Sequence, residues 1–176
     1  DFNTDTVKAL MNEYFGEIKP HGKVETRTEM PVALEKTVRL FHEDKFANVP
    51  EINLVWPSAR GYSKDAYALD FLSRLLTDGK KTPLYKVLVK DKQLTSRMYS
   101  YNDGGELAGD FHISARANKG VSLDQIEKSV EEAFALFEKD GITDNDLERI
   151  KATSEKSFYD NIEGVNAKSI QLATYN

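Results

Sequence analysis

Leu107-Ala-Gly-Asp-Phe-His-Ile-Ser-Ala-Arg-Ala117 is the stretch on which the fold turns. Phe111, Ile113 and Ala115 alternate with His112, Ser114 and Arg116, the two-residue period of a strand with one dry and one wet face. Such alternation belongs to an antiparallel sheet covered on one side. Immediately upstream, Thr95–Asp103 reads as its hairpin partner. Asn102-Asp103-Gly104-Gly105 joins the two, a run that supplies the positive φ angles of a hairpin turn. Two more strands are expected earlier. Thr37–Glu43 alternates Val38 and Leu40 with Arg39 and Phe41. Ile52, Leu54 and Trp56 share a side in the next strand, which Pro57 ends.

Helical patterns fill the intervals. Asn3 or Thr4 caps a helix with Val7, Leu10, Met11, Tyr14 and Phe15 on one face, stopping at Gly16. Residues 18–30 carry Pro20 and Gly22 and read as a loop. Ser63 caps a helix whose apolar face is Ala66, Leu69, Leu72, Leu75 and Leu76, ending at Asp78-Gly79. Pro83 opens a shorter one carrying Leu84, Val87 and Leu88. Ser122-x-x-Gln125 is a capping box, and its helix shows Ile126, Val130, Ala133, Phe134 and Phe137 before Gly141. Thr143-x-x-Asp146 caps the next, with Leu147, Ile150, Phe158 and Ile162, and residues 164–176 continue as a further helix. The order ββ–αα–ββ–αα predicts an α+β fold, an antiparallel sheet with helices packed on one face. No residue-level repeat accompanies that order.

Composition narrows the function. The chain has 176 residues, 24 Lys+Arg against 29 Asp+Glu, a formal charge of −5 and no cysteine. This length suits residues 1–176 as a single domain, burying roughly 70% of the surface its unfolded form exposes. Without cysteine there is no disulfide, no thiolate zinc site and no iron–sulfur cluster. Mild acidity argues against nucleic acid as a partner, and no apolar run approaches the ~20 residues of a membrane span. Cysteine absence suits an oxidising compartment such as the bacterial envelope or periplasm without assigning one. The chain opens on Asp1 and starts and stops inside helical patterns, as a fragment of a larger multidomain protein would.

Catalytic constellations are scarce. Gly104-Gly105 precedes no helix start and reads as a turn, not a phosphate cradle. In His42-Glu43-Asp44-Lys45-Phe46, Phe46 occupies the place where a zinc helix needs a second imidazole, so His42 reads as a polar residue at a strand end. His112 falls on the wet strand face, and His21 lies in the loop. Glu127, Glu131, Glu132 and Glu138 alternate with Lys128 and Lys139 as a solvated helix face. Arg97, Tyr99 and Tyr101 share one side of a strand. That stripe serves either ordinary cross-strand packing or contact with a peptide.

Longer stretches carry a resemblance. Phe41-His-Glu-Asp-Lys-Phe-Ala-Asn-Val-Pro-Glu-Ile-Asn-Leu-Val-Trp-Pro57 is one of them. Another is Tyr67-Ala-Leu-Asp-Phe-Leu-Ser-Arg-Leu-Leu-Thr-Asp-Gly-Lys-Lys-Thr-Pro-Leu-Tyr-Lys-Val-Leu-Val89. With the opening Val7–Ile18, they resemble the second, non-catalytic domain of bacterial zinc peptidases of the pitrilysin/insulinase family. The resemblance runs through nearly the whole chain. It implies homologous α+β domains paired around a chamber, with zinc held in the catalytic domain by His-x-x-Glu-His and a distant Glu. That motif does not occur here, so no catalytic or metal residue is carried over, and no cofactor is expected in this chain. A second family signature, an Arg and a Tyr seven positions apart, aligns with Val89 and Ser96 and is absent too.

The expected role is therefore a non-catalytic, chamber-forming domain of a zinc endopeptidase that degrades peptides. Its partners would be the peptide and other domains of the same family, in the parent chain or in a partner subunit. Arg97, Tyr99, Tyr101, His112, Ser114 and Arg116 would form the peptide-contacting wall. The alternatives are a catalytically inactive structural or assembly subunit of the same fold and, less aptly, a small-molecule-binding domain with a polar-ringed pocket.

Overall fold

The computed structural model describes residues 2–22, 25 and 27–175. Lys23, Val24 and Thr26, in the expected 18–30 loop, lie outside the described residues, as do Asp1 and Asn176.

Three antiparallel strands form the sheet: β1 (Glu51–Ser58), β2 (Thr95–Gly104) and β3 (Gly109–Ala117), in the order β1-β3-β2. The stretch with the cleanest alternation takes the centre. Ile52, Leu54 and Trp56 of β1 stand opposite Ala115, Ile113 and Phe111 of β3, and Met98 of β2 stands opposite Ala115 from the other side. This is the dry face. α2 (Lys64–Thr77), a π-helical segment (Tyr85–Asp91) and α3 (Leu123–Asp140) close over it. Leu76, Leu84, Leu88, Ile126, Val130 and Ala133 join Phe111, Ile113 and Ala115 in one buried cluster.

The helix starts follow the capping chemistry. Ser63 accepts from the Ala66 N–H, and Ser122 with Gln125 and Thr143 with Asp146 close reciprocal capping boxes on α3 and on α4 (Asp144–Glu163). Arg149 of α4 donates to the Asp78 carbonyl at 2.7 Å, tying α4 to the end of α2. α5 (Val165–Tyr175) follows after Gly164. α1 (Thr4–Phe15) is capped by Asn3, and Leu10, Met11, Tyr14 and Phe15 on its apolar face are all exposed.

Four expectations need correction. Thr37–Glu43 forms no strand: the alternation is there, but no strand among the described residues offers it a ladder, and Val38, Leu40 and Phe41 are exposed. Arg39 pairs with Glu127 of α3 instead. The first expected strand pair is thus β1 alone, and the ββ–αα–ββ–αα symmetry goes with it. Pro57 does not end β1, which runs through it to Ser58. β1 is an edge strand, where a missing N–H need cost no ladder bond. Gly104 and Gly105 do not adopt positive φ. Their reason is a backbone crossing: the Gly61 N–H donates to the Gly105 carbonyl at 2.9 Å, and a Cβ on Gly104 would stand 2.6 Å from the Gly61 Cα. Finally, the turn after Pro83 is π-helical, with the Lys92 N–H donating to the Val87 carbonyl at 3.1 Å.

Candidate functional site: the open face of the sheet

The strand period carries every second residue to the side away from the helices. Four cross-strand rows result. Glu51, Arg116 and Arg97 make the first; Asn53, Ser114 and Tyr99 the second; Val55, His112 and Tyr101 the third; Pro57, Asp110 and Asp103 the last. All six residues expected at a peptide-contacting wall share this face. The register therefore brings the Arg97, Tyr99 and Tyr101 stripe beside His112, Ser114 and Arg116 as direct cross-strand neighbours.

Within the rows the side chains are ordered by one another. The rings of Tyr101 and His112 stack in parallel, centroids 4.5 Å apart and planes 3° apart. Tyr99 lies 6.1 Å from Tyr101 at 19°, extending the stack into an aromatic ladder. Both tyrosines are 42% exposed, so the ladder presents apolar ring surface to whatever lies on the sheet. His112 Nε2 stands 3.3 Å from the Asp110 carboxylate. Arg116 donates from Nε to Glu51 at 2.6 Å, and that hydrogen bond and its charge hold the guanidinium above its ordinary pKa. Ser114 differs from the others. It is buried and donates its hydroxyl to the Asn53 side chain, so it braces β3 against β1 beneath the surface.

Sequence reasoning missed Glu51, Asn53, Asp103 and Asp110. Extending the alternation by one step from Tyr101 and from His112 reaches Asp103 and Asp110. Glu51 and Asn53 carried no such signal, because nothing local places β1 beside β3.

Among the described residues of this face, no side chains come together as a nucleophile with its base. Ser114 donates to an amide oxygen and not to a base, and His112 is engaged by Tyr101 and Asp110. Among the described residues, no three His, Asp or Glu side chains come together to hold a metal ion. His21 and His42 sit in exposed coil far along the chain from His112, and Phe46 beside His42 is exposed. Zinc does not fit these residues. On the helical side, an open apolar cleft of about 410 Å³ runs between Trp56, Leu69, Leu72, Phe111 and Phe134. Ser58 and Glu138 are its polar lining, and Ser58 already donates to Asn102, so the cleft lacks the converging polar set that orients a small molecule.

Comparison with known proteins shows the family and the fold. The zinc protease PqqE of Helicobacter pylori is 32% identical over 130 residues, 70% of this chain and 29% of that protein. The chain thus spans less than a third of that curated relative. Among solved structures, a protease from Helicobacter pylori matches 99% of this chain and 43% of its own, with a TM-score of 0.71 at 24% identity. A peptidase M16 inactive domain from Pseudomonas fluorescens matches 69% of this chain and 29% of its own, with a TM-score of 0.58 at 22% identity. These two likenesses establish the α+β fold. The zinc protease relatives imply zinc in the parent family. Residues 1–154 match the family described as the Peptidase M16 inactive domain, and the chain belongs to that family.

Proposed function

We propose that this chain is the non-catalytic wall of a peptide-enclosing zinc endopeptidase, and that the open sheet face is the surface that meets the peptide. One observation carries the reading. The helices cover one side of the sheet and leave the other bare, and that bare side holds the exposed Tyr99–Tyr101–His112 ladder. Exposed ring surface gathered on one face of a sheet is the kind of patch that partners use. Discrimination by such a wall rests on shape and charge, while hydrolysis belongs to a catalytic domain that carries the zinc. Val89 and Ser96, where the resemblance would put an Arg and a Tyr, favour the domain that follows the catalytic one over the one that completes the site from the opposite half.

Two measurements test this. An unstructured peptide bearing a photoactivatable group should label the fragments holding Arg97–Tyr101 and His112–Arg116. Labelling confined to the helices α2, α3 and α4 would overturn the reading. The chain supplied with zinc should leave the same peptide intact by mass spectrometry, and robust zinc-dependent cleavage would contradict the absence of a catalytic centre.

A further inference from the structure

The four rows of the open face are graded in charge. At one end Arg97 stands directly opposite Arg116, with Glu51 on the far side of Arg116. Glu51 neutralises Arg116, and Arg97 has no ion-pair partner among the described residues. Like charges directly opposite in a ladder are unfavourable, so this end lacks one anion. At the other end Asp103 stands directly opposite Asp110. His112 stands 3.3 Å from Asp110 and offsets it only when protonated, and Asp103 has no ion-pair partner among the described residues, so this end lacks a cation. Between the two ends lie the uncharged aromatic rows. From Arg97 to Asp103 β2 spans seven residues, about 20 Å between the two ends.

Resting on the reading of this face as a peptide wall, we infer that it orients the peptide it holds. A peptide of six or seven residues lies extended along the strands with its anionic end at Arg97 and Arg116 and its cationic end at Asp103 and Asp110. Its central side chains rest on Tyr99, Tyr101 and His112. For a peptide with free termini this places the carboxylate at the arginine end, so it runs antiparallel to β2. Charge complementarity at the two ends selects direction and length, while the ladder accepts many sequences.

Binding to the full chain is measured by fluorescence anisotropy at low salt, where exposed ion pairs act most strongly. The probes are a labelled heptapeptide with free termini, Lys second and Glu sixth, and the same peptide acetylated, amidated and with both charges replaced by Gln. The charged peptide should bind several-fold more tightly, and salt should erase the difference. Arg97→Gln and Asp103→Asn should each remove roughly two- to fivefold of that preference, the size of an exposed ion pair. With a photoactivatable group at its carboxyl end, the charged peptide should label the Arg97 end of the face in the wild type, and label at the Asp103 end overturns the direction. Equal binding of both peptides to the wild type, or no effect of either single variant, overturns the orientation and leaves the wall intact. Failure of both peptides to bind the wild type overturns the wall itself.

Discussion

The two faces of the one sheet share three strands and differ in everything else. On the helical face Ile113, Leu88 and Ile126 are almost wholly buried, and their partners are other hydrocarbon side chains. On the open face the same strands carry stacked rings, an Arg–Glu pair, two opposed arginines and two opposed aspartates. The first face holds the fold, and the second leaves its side chains available. Stability and binding should therefore separate by alternate positions along each strand.

The largest effect belongs to the covered face. Leu88→Ala or Ile113→Ala should cost about 2–5 kcal/mol in urea unfolding, because each empties a buried site that the surrounding helices cannot collapse into. A loss under about 1 kcal/mol would show that the helices do not seal the sheet. Next comes the backbone crossing that supports the hairpin. Gly104→Ala forces a methyl against Gly61 and should cost about 1–3 kcal/mol by the same measurement. Smaller again is the N-cap of α3, where Ser122→Ala should cost about 1 kcal/mol.

The smallest effect is a pH dependence on the helical side. Asp146 is held below the ordinary carboxylate value of 3.8, first by the Thr143 hydroxyl. A depressed native value means the unfolded chain binds the proton more readily. Its stabilisation is thus present above about pH 3.8 and lost as pH falls through the native value. Asp70 is opposite in sign. Burial raises it despite Arg74, so its contribution is best in acid and is lost as pH rises. Asp146→Asn should flatten the acid limb of a stability–pH curve, and Asp70→Asn should raise stability at neutral pH.

What could be read from the sequence follows the range of the forces involved. Helix starts at Ser63, Ser122 and Thr143 are local hydrogen bonds within four residues, and they were legible. So was the alternation of β3, which placed His112, Ser114 and Arg116 on one face. Thr37–Glu43 was misread because alternation reports a capacity to pair, and pairing needs a neighbour that local sequence does not name. Gly104 was misread for a similar reason: its constraint is Gly61, 43 residues away. The open face was half legible. Arg97, Tyr99 and Tyr101 share a side by period alone, but the stacking of Tyr101 on His112 and the opposition of Arg97 to Arg116 depend on a register shifted between Thr95 and Arg97.

The central claim is that peptide contact and folding stability occupy opposite faces of one sheet. The double variant Tyr99→Ala/Tyr101→Ala tests it most directly when peptide affinity and urea midpoint are measured on the same sample. Loss of two exposed ring contacts should weaken peptide binding about tenfold and leave the unfolding free energy within about 1 kcal/mol of the wild type. Unchanged affinity, or a fall in stability comparable to that of Ile113→Ala, would contradict it.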